Sequence, residues 1–222
     1  MPLTTIAQRV AHVQQRVERA AERAGRSPAD VTIVAVSKGF PPSAIEEAVD
    51  AGIAHVGENR VQEAAAKIAS LPGLPVTWHL VGHLQTNKAK TALELFDIIH
   101  SVDSLHLAEV LSRPGRSGPL PILLEVNAAG EASKFGFPPG EVAAAAQAIA
   151  RLPRLDLRGL MTVAPLVTDP EEVRPVFREL RRLRDALGLR ELSMGMTDDF
   201  EVAIEEGATL VRIGRAIFGE RL

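Results

Sequence analysis

The sequence predicts an α/β protein: a (β/α)8 TIM barrel, in which eight parallel strands alternate with helices, preceded by an extra N-terminal helix. Short apolar segments alternate with amphipathic ones along the chain, and eight of them can be counted as strands. No turn between a strand and a helix carries the glycine pattern G-x-G-x-x-G of dinucleotide-binding folds. An open sheet of eight strands would be large for 222 residues. A single barrel domain over residues 1–222 is therefore expected.

The first predicted helix covers residues 4–24, where apolar side chains recur every three or four positions. Thr5 and Gln8 have the spacing of a capping box, and Gly25 is a typical helix stop. A near-continuous apolar run at 31–36 follows. Such a run is typical of a parallel strand that is buried on both faces.

The remaining elements repeat the order of strand and helix. The second helix starts at the Pro41-Pro42 pair, has a predicted capping box of Ser43 with Glu46, and ends at Gly52. The later strands are predicted at 53–57, 76–81, 97–101, 121–127, 155–163, 191–193 and 209–213. The later helices are predicted at 59–70, 86–95, 104–111, 138–150, 170–187 and 198–206, with a short helix from residue 215.

Composition limits the partners that this chain can have. A formal net charge of −3 provides no positive field for nucleic acid or an anionic membrane. The absence of cysteine excludes disulfides and thiolate metal sites and is typical of cytosolic proteins. No apolar run reaches the ~18 residues of a membrane span, and the N-terminus is charged. We expect a soluble, cytoplasmic, unprocessed protein.

Lys38 ends the first strand, between Ser37 and Gly39. In barrels of parallel strands the chemistry lies at the carboxyl ends of the strands, where a lysine amine can capture a carbonyl group as a Schiff base. The alternative is a lysine that merely extends from a strand end into solvent.

Two further segments, 192–199 and 211–219, follow the seventh and eighth strands. Each combines small or hydroxyl side chains with glycine. Ordinary turns also favour these residues, but the loops after strands seven and eight are where barrels commonly bind phosphate. Barrel closure also places the eighth strand beside the first, so Arg212 should approach Lys38. A lysine, an arginine and a phosphate site together describe a site for pyridoxal 5′-phosphate (PLP).

Several blocks in order resemble the pyridoxal phosphate homeostasis protein family, and the resemblance runs from residue 31 to 222. These blocks are Val36-Ser37-Lys38, Val56-Gly57-Glu58-Asn59-Arg60-Val61-Gln62-Glu63, Trp78-His79-Leu80-Val81-Gly82-His83-Leu84-Gln85-Thr86-Asn87-Lys88, Ser133-Lys134-Phe135-Gly136, Gly159-Leu160-Met161, Leu192-Ser193-Met194-Gly195-Met196, Val211-Arg212-Ile213-Gly214 and Ile217-Phe218-Gly219.

The resemblance implies a monomeric barrel, similar to the N-terminal domain of alanine racemase, that binds PLP for intracellular PLP homeostasis and has no established catalytic reaction. Lys38 would form the Schiff base, and Arg212 would face the pyridine nitrogen. The implied phosphate contacts are Ser193, Thr197, and the backbone N–H groups of Gly214 and Arg215, and the implied ring-pocket residues are Asn59, His79 and Met161. Thr197 stands where serine is usual in the family and keeps the hydroxyl group. PLP-dependent apo-enzymes are the implied recipients of the cofactor.

Two other functions stay open: a PLP enzyme that acts on amino acids, such as a racemase, and an aldolase in which Lys38 attacks a phosphorylated sugar directly. The resemblance argues against a racemase, because alanine racemases use a tyrosine from the partner subunit as a second base and this chain contains no tyrosine.

Two weaker patterns are interpreted as structural. His79 and His83 have the spacing H-x-x-x-H, but they lack the glutamate of a zinc helix motif and a third ligand, so no metal is expected. A group of arginines could indicate nucleic-acid binding, but the acidic residues among them favour a solvated helix face. These arginines are Arg174, Arg178, Arg181, Arg182, Arg184 and Arg190.

Overall fold

The computed structural model describes residues 5–113, 117–131 and 134–220. Eight parallel strands form a closed barrel in sequence order, β1-β2-β3-β4-β5-β6-β7-β8, and β8 pairs with β1. The predicted fold class and the predicted adjacency of the first and last strands are confirmed. The strands are β1 Thr32–Val36, β2 His55–Glu58, β3 Thr77–Leu80, β4 Ile98–Val102, β5 Leu120–Glu125, β6 Leu155–Met161, β7 Glu191–Ser193 and β8 Leu210–Ile213.

Helices follow the strands on the outside of the barrel. They are α1 Ile6–Arg23, α2 Pro42–Asp50, α3 Val61–Ser70, α4 Ala89–Leu95, α5 Leu105–Leu111, α6 Val142–Ile149, α7 Arg174–Ala186, α8 Phe200–Glu205 and α9 Arg215–Phe218. Short 3-10 turns occupy Pro28–Asp30, Thr86–Lys88, Pro139–Glu141 and Pro170–Val173. The last three explain why α4, α6 and α7 begin three to four residues later than the sequence pattern predicts.

The N-terminal helix α1 packs against α2, α8 and α9. Its capping box is confirmed: the backbone N–H of Gln8 donates to Thr5 Oγ1 at 3.2 Å, and the Gln8 side chain accepts from the Thr5 N–H at 3.3 Å. Its inward positions, Val10, Val13 and Val17, are buried. The helix therefore covers the seam where the barrel closes.

The capping box predicted for α2 is wrong. The helix begins at Pro42, its N-cap is Pro41, and no side chain caps the first turn. Pro42 fixes the helical backbone angle at the first position and has no N–H group to satisfy. The start therefore lies one residue before Ser43, which becomes part of the first turn.

The barrel interior contains two kinds of side chain. One is a small apolar cluster made of Val34, Leu123, Met161 and Leu210. The other is a group of buried polar side chains, namely His79, His100, Ser193 and Arg212. Among the described residues, no helix is long and apolar enough to span a membrane.

Candidate functional site

A cavity of about 380 Å³ lies at the carboxyl ends of the strands, within the usual size range of small-molecule sites. Most of its walls are residues at the end of a strand or within four residues after it, because all parallel strands have their carboxyl ends at one mouth of the barrel. Its lining is Val36, Lys38, Phe40, Asn59, Val81, Val163, Leu166, Met196, Thr197, Asp198, Arg212, Gly214, Arg215, Gly219 and Glu220.

Arg212 on β8 is buried, with 5% of its surface exposed, yet it lines this cavity. Its Nη1 donates to the Ser193 carbonyl at 2.8 Å and to Ser193 Oγ at 2.7 Å, and its Nη2 donates to the Thr162 carbonyl at 2.8 Å. Burial lowers the pKa of Arg212 to about 10, against the opposing charges of Asp199 and Glu125. The guanidinium is therefore protonated at neutral pH and held in one orientation.

The loop after β7 contacts the first turn of α9, which follows β8 and Arg212. The backbone N–H of Ala216 donates to Thr197 Oγ1 at 3.4 Å, and Arg215 forms an ion pair with Asp198 at 2.5 Å. Gly195 has a φ of +89°, and an added Cβ would lie 2.6 Å from the Ala203 Cβ. This close approach requires glycine at the turn.

Lys38 is half-buried just beyond the end of β1, and the residues on either side of it are held by a cluster of charged side chains, of which Lys67 and Glu58 are buried. Lys67 Nζ on α3 donates to the Ser37 carbonyl at 2.7 Å, to Glu58 at 2.6 Å and to Glu63 at 2.8 Å.

The same carboxylates reach both neighbours of Lys38. Glu63 accepts from the Gly39 N–H at 2.6 Å, and the Ser37 hydroxyl donates to Glu58 at 2.5 Å. Burial raises the pKa of the Glu58 carboxyl despite its bonds to Lys67 and Ser37. We refer to Glu58, Glu63 and Lys67 as the strand-end clamp, because together they hold the backbone on both sides of Lys38.

Six of the predicted site residues line the one cavity: Lys38, Asn59, Thr197, Arg212, Gly214 and Arg215. The structure does not place His79, Met161 or Ser193 on its wall. Met161 lies in the interior cluster on which the cavity-lining Val81 and Val163 pack. His79 lines a second cavity of about 450 Å³ at the amino ends of the strands.

Sequence reasoning missed the strand-end clamp as well as His55 and His100. A signal existed for part of it: Glu58 directly follows the segment 53–57 that is predicted as a strand, and Lys67 lies on the buried face of α3 with Val61 and Ala64. Charged residues at such positions are rarely buried unless they are paired. His55 and His100 follow no spacing rule, because their contacts cross from strand to strand.

His83 and the arginines of α7, which the sequence offered as possible metal or nucleic-acid ligands, bond to neighbouring protein side chains. His83 bonds to Asp103 at 2.9 Å and stacks on Phe135, with ring centroids 3.9 Å apart. Among the residues that the structure describes, no three acidic or histidine side chains are grouped so that they could hold a metal ion. All five α7 arginines form ion pairs, three of them with Glu206, namely Arg174, Arg178 and Arg181. Ser133 of the predicted motif lies outside the described residues.

The closed parallel barrel belongs to a known class of protein, because the family model described as the alanine racemase N-terminal domain matches residues 9–222. The pyridoxal phosphate homeostasis protein of Pseudomonas aeruginosa is 47% identical over 99% of this chain and 97% of its own length. The protein of that name from Escherichia coli K12 is 45% identical, over 99% and 98% of the two chains. The chain belongs to the pyridoxal phosphate homeostasis protein family.

Solved structures agree with this assignment. PipY of Synechococcus elongatus with PLP bound is 41% identical, with a TM-score of 0.77 over 92% of this chain and all of that one. Alanine racemase of Clostridium difficile is 12% identical, with a TM-score of 0.76 over 95% of this chain and 56% of that one. The second likeness concerns the fold alone.

Proposed function

We propose that this protein binds PLP in the cavity at the carboxyl ends of the strands and takes part in PLP homeostasis. The observation that carries the proposal is that Lys38 and Arg212 line one cavity with the loops after β7 and β8. The PipY structure, which holds PLP and is 41% identical, supports it.

The residues present fit each part of PLP. The Lys38 amine condenses with the PLP aldehyde, forms a C=N bond and releases water. Arg212 faces the ring nitrogen, and the described contacts leave two of its five N–H groups for a ligand. Thr197, Gly214 and Arg215 hold the phosphate, because hydroxyl and backbone N–H donors suit an anion.

We propose that the chain holds and delivers PLP rather than catalysing a reaction on amino acids. A guanidinium only donates hydrogen bonds, so Arg212 keeps the ring nitrogen unprotonated and the bound cofactor a weaker electron sink. An enzyme with this handicap needs well-placed bases on both faces of the substrate. The sequence contains no tyrosine, and His79 does not line the cavity. We further propose that the protein is a monomer that supplies PLP-dependent apo-enzymes.

The phosphate contact is tested at Gly214. A Cβ there would lie 3.3 Å from the Val36 carbonyl oxygen, so Gly214→Val crowds the loop that faces the phosphate. Equilibrium dialysis should show a loss of affinity that is at least ten-fold larger for PLP than for pyridoxal. Gly140→Val, with no atom within 4 Å of its Cβ, is the matched control. Equal losses for both ligands would remove the phosphate role.

Catalysis is tested by deuterium exchange at Cα of L-alanine with the PLP-loaded protein. General acid–base groups contribute about 10²–10⁴-fold each, so the loss of one base should leave exchange slow. Turnover of roughly 1 s⁻¹ or more, the lower end of ordinary enzymes, would establish an enzyme instead. A colourless protein that cleaves a phosphorylated sugar would support the aldolase alternative.

A further inference from the structure

A row of polar side chains crosses the barrel interior below the cavity. Arg212 Nη1 donates to Ser193 Oγ at 2.7 Å, and this oxygen lies 2.8 Å from His100 Nδ1. His100 Nε2 lies 2.8 Å from His79 Nδ1. His79 Nε2 lies 3.0 Å from His55 Nδ1. We call Ser193, His100, His79 and His55 the interior row.

Together with Arg212, the interior row connects the two mouths of the barrel. Its histidines lie on the consecutive strands β2, β3 and β4. His79 pairs with Gly57, two residues beyond His55, and His100 lies two residues beyond Ile98, the partner of His79. Each step therefore advances two residues towards the carboxyl mouth. His55 lines the cavity at the amino mouth, and Arg212 lines the cavity at the other.

Arg212 determines the direction of the hydrogen bonds. A guanidinium has no acceptor, so the Ser193 hydroxyl must accept from it. The hydroxyl proton then points to the nearest acceptor, His100 Nδ1. In the reverse direction His100 Nδ1–H would donate to Ser193, and the fully buried hydroxyl would keep its own proton without an acceptor among the described residues. An unmet buried donor is costly, which favours the first direction.

We propose that the interior row is a hydrogen-bond chain with one direction, from Arg212 through Ser193, His100 and His79 to His55. In this chain all three imidazoles are neutral and carry their proton on Nε2. His100 acts as a positioning residue: its Nδ1 accepts the hydrogen bond of the Ser193 hydroxyl, which leaves the hydroxyl oxygen free to accept from Arg212.

The electrostatic surroundings agree with neutral rings. Burial, followed by the charge of His55, lowers the pKa of His79 to about 3. Burial lowers the pKa of His100 well below its ordinary value, and the charges of His79 and Arg212 act in the same direction. A neutral imidazole has one donor and one acceptor, which is what each link of the chain requires.

The hydrogen-bond chain gives Ser193 a different role from the phosphate contact that the family resemblance implies. Its hydroxyl accepts from Arg212 and donates to His100, so it holds the guanidinium and does not donate to phosphate. The link from Arg212 to the cofactor rests on the proposed function. The hydrogen-bond chain itself does not, because all of its members are residues of the protein.

The test is made on the protein without cofactor. Long-range ¹H–¹⁵N spectra of ¹⁵N-labelled histidine rings distinguish the two neutral tautomers from the protonated ring, and exposed His12 supplies the signal of a solvated imidazole. We expect Nε2–H tautomers for His55, His79 and His100 at neutral pH. An Nδ1–H tautomer or a doubly protonated ring at any of the three histidines would overturn the proposal.

A pair of variants tests the origin of the direction. Ser193→Ala removes the donor to His100, so the His100 Nδ1 resonance should shift, and Ser193→Thr, which keeps a hydroxyl, should restore it. An unchanged His100 signal in Ser193→Ala overturns the proposal, and if that variant does not fold, the wild-type spectra decide. Expected ring signals in a protein that fails to bind PLP would contradict only the proposed function.

Discussion

Lys67→Met should destabilise the protein strongly, although the residue lies outside the cavity. The side chain of Lys67 is 7% exposed and that of Glu58 is fully buried, and their charged atoms are 2.6 Å apart. The substitution keeps most of the apolar stem and removes only the charge. It leaves the Glu58 carboxylate with the Ser37 hydroxyl as a donor and without a cation. Breaking a buried ion pair in this way costs about 3–5 kcal/mol.

The free energy of unfolding, measured by urea denaturation, checks this magnitude. Arg182→Met is the matched control, because the exposed pair of Arg182 with Glu179 on α7 is worth at most about 1 kcal/mol. The double variant Glu58→Gln/Lys67→Met removes both buried charges. It should recover much of the free energy of unfolding that Lys67→Met loses, since replacing a whole buried pair is often close to neutral.

The pH dependence adds an independent check. Burial already raises the pKa of Glu58, and loss of the cation raises it further. Above its unfolded pKa, a carboxyl with a raised folded pKa binds more protons in the folded state, so stability falls as the pH rises. The deficit in the free energy of unfolding of Lys67→Met, relative to wild type, should therefore be larger at pH ~7.5 than at pH ~5.5. A deficit below about 1 kcal/mol at both pH values, as in the surface control, would refute the reasoning.

Two more predictions follow from other parts of the barrel. The pKa of His79 is lowered to about 3, so below pH ~6.5 the unfolded chain gains a proton that the folded chain does not. Stability should fall on acidification by up to about 1.4 kcal/mol per pH unit from this residue, and urea denaturation of His79→Gln should lack that contribution. Gly82→Ala would place a Cβ 2.4 Å from the carbonyl oxygen of Asn59 on the cavity wall, so PLP affinity should fall by about ten-fold or more in dialysis. Gly140→Ala, which meets nothing within 4 Å, should bind PLP normally.

The fold could be predicted because its signals are local. Buried parallel strands are continuous apolar runs, and the helices between them show apolar positions at steps of three and four, so the order of elements was readable. The capping box at Thr5 and Gln8 spans only three residues and was predicted correctly. The one predicted at Ser43 failed because Pro42 competes for the helix start, which a capping pattern alone does not show.

The candidate site was predicted in part, for a geometric reason. Residues at or just beyond the end of a strand reach the carboxyl mouth, so Lys38 and the segments 192–199 and 211–219 could be assigned to it from strand positions alone. Thr197 and Gly214 were singled out within those segments by the family resemblance. His79 and Ser193 belong to the strands themselves, and their side chains join the interior row. The contacts of that row connect positions 21 to 93 residues apart, which no sequence spacing reveals.

Trapping the bound cofactor tests the central claim most directly. The purified protein is mixed with PLP, reduced with borohydride, digested and mapped by mass spectrometry. The cavity geometry predicts one phosphopyridoxyl adduct, on Lys38, and its loss together with the yellow colour in Lys38→Ala. An adduct that forms instead on Lys88 or Lys134, or one that persists unchanged in Lys38→Ala, would contradict the assignment of PLP to this cavity.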